Sequence, residues 1–171
     1  MIEVVQREPI NEYFFSNKHY IFECNEKSVL FLDVDTFVFG DVENIFKKYA
    51  DVDFAACENR WHGKLVPKFN GGIQLYNNLW HKNLLKMPVM CEFAKNEIAQ
   101  HNLEEYAISL MVEQLESKYK IFERSDCHTI LWQQDIQKCR ESIVFHSYNQ
   151  QWGQVDAFLK NKKKFIGRLV N

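Results

Sequence analysis

The sequence predicts an α/β fold in which a mixed sheet is flanked by helices. Short apolar segments rich in β-branched and aromatic residues recur along the chain, and segments with helical apolar spacing separate them. The length of 171 residues suits one domain with its own core, and a hydrophobic content of 46% is that of a folded protein. We therefore expect a single domain that spans residues 1–171.

The predicted strands are short and apolar. Residues 29–34 form a continuous apolar run of the kind that is buried on both faces of a mixed or parallel sheet. Residues 73–76 alternate in polarity after a predicted turn at residues 69–72. The other predicted strands lie at residues 2–5, 53–57, 120–123 and 142–145.

The predicted helices have recognisable starts. A short helix is expected to run to Tyr49 from Asp41, whose side chain suits the N-cap position. Apolar residues lie along one face of a predicted helix over residues 103–115. Asn102 with Glu105 resembles a capping box at its start. Helical structure is also predicted for residues 79–98 with an interruption near Pro88, for part of residues 12–24, and for the basic segment 155–169.

Composition excludes several classes of protein. A formal net charge of −2 gives no general attraction to nucleic acid or to membranes. The five cysteines include no C-x-x-C pair, so a zinc ribbon has no support. No apolar run approaches the ~20 residues that span a bilayer, and the first residues do not resemble a signal peptide. An odd cysteine count without glycosylation sites favours a cytoplasmic protein.

Two carboxylates follow the apolar run at residues 29–34. In a strand Asp33 and Asp35 share one face, and together they form half of an oxygen site for Mg²⁺ or Mn²⁺. His146, which follows another apolar strand, is a natural third ligand. The alternatives are a pair of carboxylates that faces water and a histidine that bonds to backbone.

The segment FNGG, residues 69–72, is a second candidate site. Gly71 and Gly72 permit a positive φ and a close approach of the backbone to a ligand. Asn70 offers an amide that can hydrogen-bond a polyhydroxylated substrate. An ordinary turn before a strand would account for the same residues.

Three blocks of the sequence together resemble a known family. The segment VLFLDVDTFVFGDVENIF, which begins at Val29, resembles the D-x-D strand of the GT-A glycosyltransferases, particularly the group related to glycogenin and the bacterial lipopolysaccharide galactosyltransferases. FNGGIQLYNN, from Phe69, is similar to that family's asparagine–glycine block. IVFHSYN, from Ile143, is similar to its late histidine strand. The blocks occur in the family's order.

The resemblance implies a nucleotide-diphosphate sugar donor, most simply a UDP-sugar, bound through Mn²⁺ or Mg²⁺, and an acceptor of unknown identity. Asp35 would be the main metal ligand, Asp33 would contact both metal and donor, and His146 would complete the protein ligands. The family's sugar and acceptor side would correspond to Asn70, Gly71, Gly72 and Glu105, and its diphosphate-binding lysine to Lys162.

Two of these residues also fit a purely structural role. An acidic residue such as Glu105 or the adjacent Glu104 stabilises a helix simply by lying near its N-terminus. Lys162 lies in a run of lysines that would form a solvated basic face of a helix.

The chain departs from the family at its beginning. Family members carry two or three strand–helix units before D-x-D, whereas thirty-two residues precede Asp33 here. We therefore expect part of the N-terminal nucleotide-binding half to be missing, and an exposed sheet edge that favours self-association.

Two other functions stay open. One is a catalytically inactive GT-A-like binding protein. The second is a haloacid-dehalogenase-like phosphatase, although Phe37 occupies a position where that family has threonine or valine.

Overall fold

The computed structural model describes residues 21–33, 35–59, 68–95, 103–130 and 142–147. They form a mixed α/β fold of two sheets and flanking helices, as predicted. The strands are β1 (Val29–Leu32), β2 (Thr36–Val38), β3 (Phe54–Glu58), β4 (Phe69–Tyr76), β5 (Tyr119–Ile121), β6 (Cys127–Ile130) and β7 (Val144–Ser147). The α-helices are α1 (Glu43–Lys48), α2 (Met87–Ala94) and α3 (Leu103–Gln114), and a 3₁₀ helix covers Trp80–Lys86.

The first sheet has the order β1-β4-β3-β5 and is mixed. β4 pairs antiparallel with both β1 and β3, and β3 pairs parallel with β5. All eight residues of β4 are buried, whereas the four residues of β1 are half-buried. The prediction that the first apolar strand is buried on both faces was therefore wrong, because β1 pairs with one neighbour among the described strands. Self-association through such an edge stays a prediction.

The second sheet has the order β2-β7-β6 and contains the histidine strand. β7 pairs antiparallel with β2 and parallel with β6. The sequence analysis missed β2 and β6, which are three and four residues long. Strands this short carry too few residues for a period of two to be recognised, and pairing with β7 determines them.

The core lies on both faces of the first sheet. On one face Phe54, Phe69 and Tyr76 pack with the 3₁₀ helix, α2 and α3. On the other face Ile73 and Leu75 pack with α1 and with the buried ends of β6 and β7. β4 is therefore an interior strand of the first sheet, and side chains pack against both of its faces.

Local signals predicted two helix starts in part. The α1 helix begins at Glu43, so its N-cap residue is Val42 and not Asp41 as predicted, although the Asp41 side chain accepts a hydrogen bond from the Glu43 N–H at 2.9 Å. The helical segment from residue 79 changes type near Pro88, where an interruption was predicted, because the 3₁₀ helix ends at Lys86 and α2 begins at Met87. Pro88 lies in the first turn of α2, where its missing N–H costs nothing.

Several predicted features lie outside the described residues. They are the strand at residues 2–5, most of the helix at residues 12–24, the capping residue Asn102 and the helix at residues 155–169. Within the part that the structure describes, none of the helices has the length and apolar character needed to cross a bilayer.

Tyr49, at the end of α1, fastens the segment between β5 and β6. Its buried hydroxyl donates a hydrogen bond to Asp126 Oδ2 at 2.7 Å and accepts one from the Glu123 N–H at 2.8 Å. Lys48 forms ion pairs of 2.8 Å with the carboxylates of Glu123 and Asp126. Burial raises the pKa of the Tyr49 phenol, so the hydroxyl remains a donor at neutral pH. These bonds fix where β6 begins and hence where β7 lies.

We expect the substitution Tyr49→Phe to lower the free energy of unfolding by about 1–3 kcal/mol, because it removes a hydrogen bond to a carboxylate and leaves the Glu123 N–H without this acceptor. Urea denaturation followed by circular dichroism measures the change. Tyr119→Phe, on a half-exposed tyrosine of β5, is the control and should change stability by less than about 0.5 kcal/mol. Equal effects of the two substitutions would contradict this role of Tyr49.

Candidate metal centre

Asp33 and Asp35 lie in the connection between the two sheets. β1 ends at Leu32 and β2 begins at Thr36, and the Thr36 N–H donates to the Asp33 carbonyl at 3.0 Å to close a turn. The prediction that both carboxylates lie on one face of a strand was therefore wrong. The turn, rather than the alternation of a strand, directs them to the same place.

His146 was expected to follow its strand, but it lies within β7. Its Cα is opposite Thr36 of β2 and opposite Thr129 of β6, so the residue occupies the central strand of the second sheet. Its Nε2 is 3.0 Å from Asp35 Oδ1 and 3.7 Å from Asp33 Oδ2. The structure brings all three predicted metal ligands together.

The three side chains differ in their access to solvent. The His146 side chain is 5% exposed, whereas those of Asp35 and Asp33 are 22% and 35% exposed. The imidazole therefore forms the buried wall of the site and the carboxylates form its rim. A ligand can approach from the rim without unfolding the sheet.

The spacing of the three ligands fits a divalent cation. One ligand atom from each residue can be chosen so that all three lie within 4.8 Å of one another. Octahedral ligands about 2.1 Å from an ion are about 3.0 Å apart when adjacent and about 4.2 Å apart when opposite. Two carboxylates and an imidazole are a donor set for Mn²⁺ or Mg²⁺. The same geometry also suits a direct contact of His146 with the two carboxylates without an ion.

Gly71 and Gly72 do not form a turn. Both lie inside β4, and among the described residues no glycine has a positive φ. The predicted turn at residues 69–72 was wrong, because β4 runs through them as a strand that pairs with β3 at Phe69 and with β1 from Ile73. Gly72 lies against the ring of His146, and its carbonyl accepts a hydrogen bond from the Asp33 N–H at 2.9 Å.

Asn70 is a buried link between the sheets. Its side chain is on β4, and its Oδ1 accepts hydrogen bonds from the Gly72 N–H at 3.0 Å and from the Thr129 hydroxyl at 3.1 Å. This oxygen is therefore occupied by the protein itself. A contact of Asn70 with a substrate would have to use the amide nitrogen.

Glu105 extends from α3 to the glycine segment. Its Oε1 accepts the Gly71 N–H at 2.6 Å, and its Oε2 accepts the Asn59 amide at 2.9 Å. Charge-assisted bonds of this length are strong, so they hold the start of α3 against β4. The predicted acidic residue is thus close to the glycines, and its carboxylate binds backbone in addition to stabilising its helix.

A buried polar pair lies within β4. The Tyr76 hydroxyl donates to Gln74 Oε1, and both residues are fully buried. Burial raises the pKa of Tyr76, and the charges of Glu104 and Asp33 raise it further. Tyr76 is therefore a neutral hydrogen-bond donor inside the first sheet.

The sequence analysis missed the residues that support the site. Thr36, Asn59 and Thr129 each hydrogen-bond to β4 or to Glu105 across more than thirty residues of sequence. No local pattern marks such contacts, since each depends on where two distant strands meet. Lys162, the proposed diphosphate ligand, lies outside the described residues.

Comparisons with solved structures find glycosyltransferases. The fold is similar to that of the glycosyltransferase GlyE of Streptococcus pneumoniae TIGR4, with a TM-score of 0.60 and 18% identity over 80% of this chain. It is also similar to the galactosyltransferase LgtC in complex with donor and acceptor sugar analogues, with a TM-score of 0.58 and 14% identity over 86% of this chain.

The likeness is one of fold and covers part of each neighbour. The chain spans 38% of the GlyE chain and 65% of the LgtC chain. No family model and no curated protein matches the sequence. The mixed α/β fold of this chain is therefore similar to that of part of these glycosyltransferases.

Proposed function

We propose that this chain is a metal-dependent glycosyltransferase domain, which transfers a sugar from a nucleotide-diphosphate sugar, most simply a UDP-sugar, to an acceptor. The observation that carries the proposal is the cluster of Asp33, Asp35 and His146, whose ligand atoms lie within 4.8 Å of one another. The fold shared with two glycosyltransferases supports it independently. The finer relation to the glycogenin and lipopolysaccharide galactosyltransferase group is part of the proposal and rests on the sequence motifs.

In this proposal Asp33, Asp35 and His146 hold one Mn²⁺ or Mg²⁺ ion. A divalent cation bound there would offset the negative charge that develops on a departing diphosphate. Asp35, whose Oδ1 is nearest to His146 Nε2, is the main ligand. The more exposed Asp33 also contacts the donor at the rim.

The protein's own groups have separate proposed roles around that centre. The amide nitrogen of Asn70 and the backbone of Gly71 and Gly72 line the sugar or acceptor side. Glu105 keeps this backbone in place by accepting a hydrogen bond from the Gly71 N–H. A backbone that is already in position lowers the entropic cost of binding a substrate. Lys162 is proposed to reach the diphosphate, on the resemblance alone.

We expect the protein to bind Mn²⁺ at one site and the substitution Asp35→Asn to weaken this binding about tenfold or more, because the amide removes a charged ligand. Electron paramagnetic resonance of free Mn²⁺ measures the affinity. Asp51→Asn is the matched control, since Asp51 is an exposed carboxylate that pairs with Lys120 outside the cluster. If the wild type binds no Mn²⁺, the three side chains contact one another without an ion and the proposal fails.

Donor binding should depend on the metal. Calorimetry with UDP-glucose and UDP-galactose is expected to show binding in Mn²⁺ and none in EDTA, because the diphosphate would be recognised through the ion. Asp33→Ala should weaken binding in Mn²⁺ at least about tenfold. A donor that binds equally well with and without Mn²⁺ would contradict the proposal.

The same experiment separates the two alternative functions. A protein that binds neither the donor nor beryllium fluoride would be the inactive GT-A-like binding protein, which has kept the fold and lost the donor site. A protein that does not bind the donor, but whose aspartate binds beryllium fluoride as an aspartyl-phosphate analogue, would be the phosphatase.

A further inference from the structure

We propose that Gly72 is the positioning residue of the candidate metal centre: its missing side chain admits the imidazole of His146, and its carbonyl fixes the turn that carries Asp33 and Asp35. The inference rests on the proposed function in that it concerns the same three ligands. It differs from the expected role of the glycines, which was to contact a sugar.

The space beside Gly72 is already filled by the histidine ring. A Cβ atom on residue 72 would lie 2.0 Å from His146 Nδ1, 2.3 Å from Cε1 and 2.4 Å from Cγ. Real Cβ atoms essentially never come within 3.0 Å of a heavy atom of this kind. Alanine at position 72 and the present position of the imidazole therefore exclude each other.

The requirement for glycine is steric and not conformational. Gly72 lies in the interior of β4 without a positive φ, so its backbone would accept an L-residue. Glycine inside a strand is unfavourable by itself and is typical of a place where another group approaches closely. At Gly72 that group is the His146 imidazole.

The backbone of Gly72 holds the other two ligands. Its carbonyl accepts the Asp33 N–H at 2.9 Å and lies 3.5 Å from the Thr36 hydroxyl. These two contacts hold the turn between β1 and β2 at residues on both sides of Asp35. The carboxylates therefore keep a fixed distance from residue 72.

The N–H of Gly72 connects the same point to the histidine strand. It donates to Asn70 Oδ1, which also accepts the hydroxyl of Thr129 on β6. Thr129 is opposite His146 in the parallel pair of β6 and β7. Both polar atoms of the Gly72 backbone thus help to set the positions from which the metal ligands extend.

The imidazole has little room to avoid an added methyl group. His146 is 4% exposed, and β2 and β6 pair with its strand on both sides. To relieve the contact the ring must rotate or β7 must move, and either change displaces Nε2 from Asp35, which is now 3.0 Å away. Ligand sets lose affinity when one member moves by about 0.5 Å or more.

A double-mutant cycle on the metal-free protein tests the steric step. We expect Gly72→Ala to lower the Tm by roughly 5 °C or more when His146 is present, as overpacking of a core does. In the His146→Ala background the same change should lower the Tm by less than about 2 °C, because the clashing ring atoms are gone. Gly40→Ala, whose Cβ would meet Ile143 Cγ1 at 3.3 Å, is the control and should behave alike in both backgrounds.

Mn²⁺ affinity tests the positioning step. Gly72→Ala should weaken Mn²⁺ binding about tenfold or more, whereas Gly40→Ala should leave it unchanged. The double variant Gly72→Ala with His146→Asp should regain affinity over Gly72→Ala alone, since the shorter carboxylate avoids the methyl group and still offers an oxygen ligand.

The outcomes separate this inference from the proposed function. Equal Tm losses in the two histidine backgrounds, or unchanged Mn²⁺ affinity in Gly72→Ala, would overturn the role of Gly72. If the wild type binds no Mn²⁺ but the stability cycle shows the expected coupling, the metal centre fails while the steric relation between Gly72 and His146 stands. A Gly72→Ala variant that does not fold, but does fold with His146→Ala, supports the inference.

Discussion

The close contact between β4 and the histidine strand is the constraint on which the site depends. Gly72 of the first sheet and His146 of the second sheet approach so closely that a Cβ atom does not fit between them. Because the turn between β1 and β2 connects the same two sheets, Asp33 and Asp35 are brought to this contact. Two carboxylates and an imidazole that lies more than a hundred residues further along the sequence thus meet at one junction.

The junction is surrounded by hydrogen bonds that the protein makes with itself. Asn70 connects β4 to Thr129, and Glu105 connects α3 to the Gly71 N–H. Buried polar groups are costly unless they are paired, so these bonds also specify one arrangement of the two sheets. Metal sites in proteins depend on such hydrogen-bonded neighbours, because these supporting residues orient the side chains that bind the ion.

The sequence identified the three candidate ligands but not the residues that support them. Residue type and position at the ends of apolar segments identified Asp33, Asp35 and His146, whose proximity the structure confirms. Their local structure was predicted wrongly, because a turn and a strand interior replace the two strand ends. Gly71 and Gly72 carried the composition of a turn, and pairing with β1 and β3 placed them in a strand. Tertiary pairing overrides local preference in this way at residues 69–72, the first half of β4.

Fold and site carry different weight in the functional argument. At 14–18% identity the shared fold with GlyE and LgtC establishes architecture, and one architecture can serve unrelated activities. The cluster of two carboxylates and an imidazole carries the functional argument, because it could hold a divalent cation whatever the rest of the chain does. The decisive property is therefore local: if the junction at Gly72 holds an ion, a diphosphate ligand has a place to bind, and the transferase proposal becomes a question of donor and acceptor.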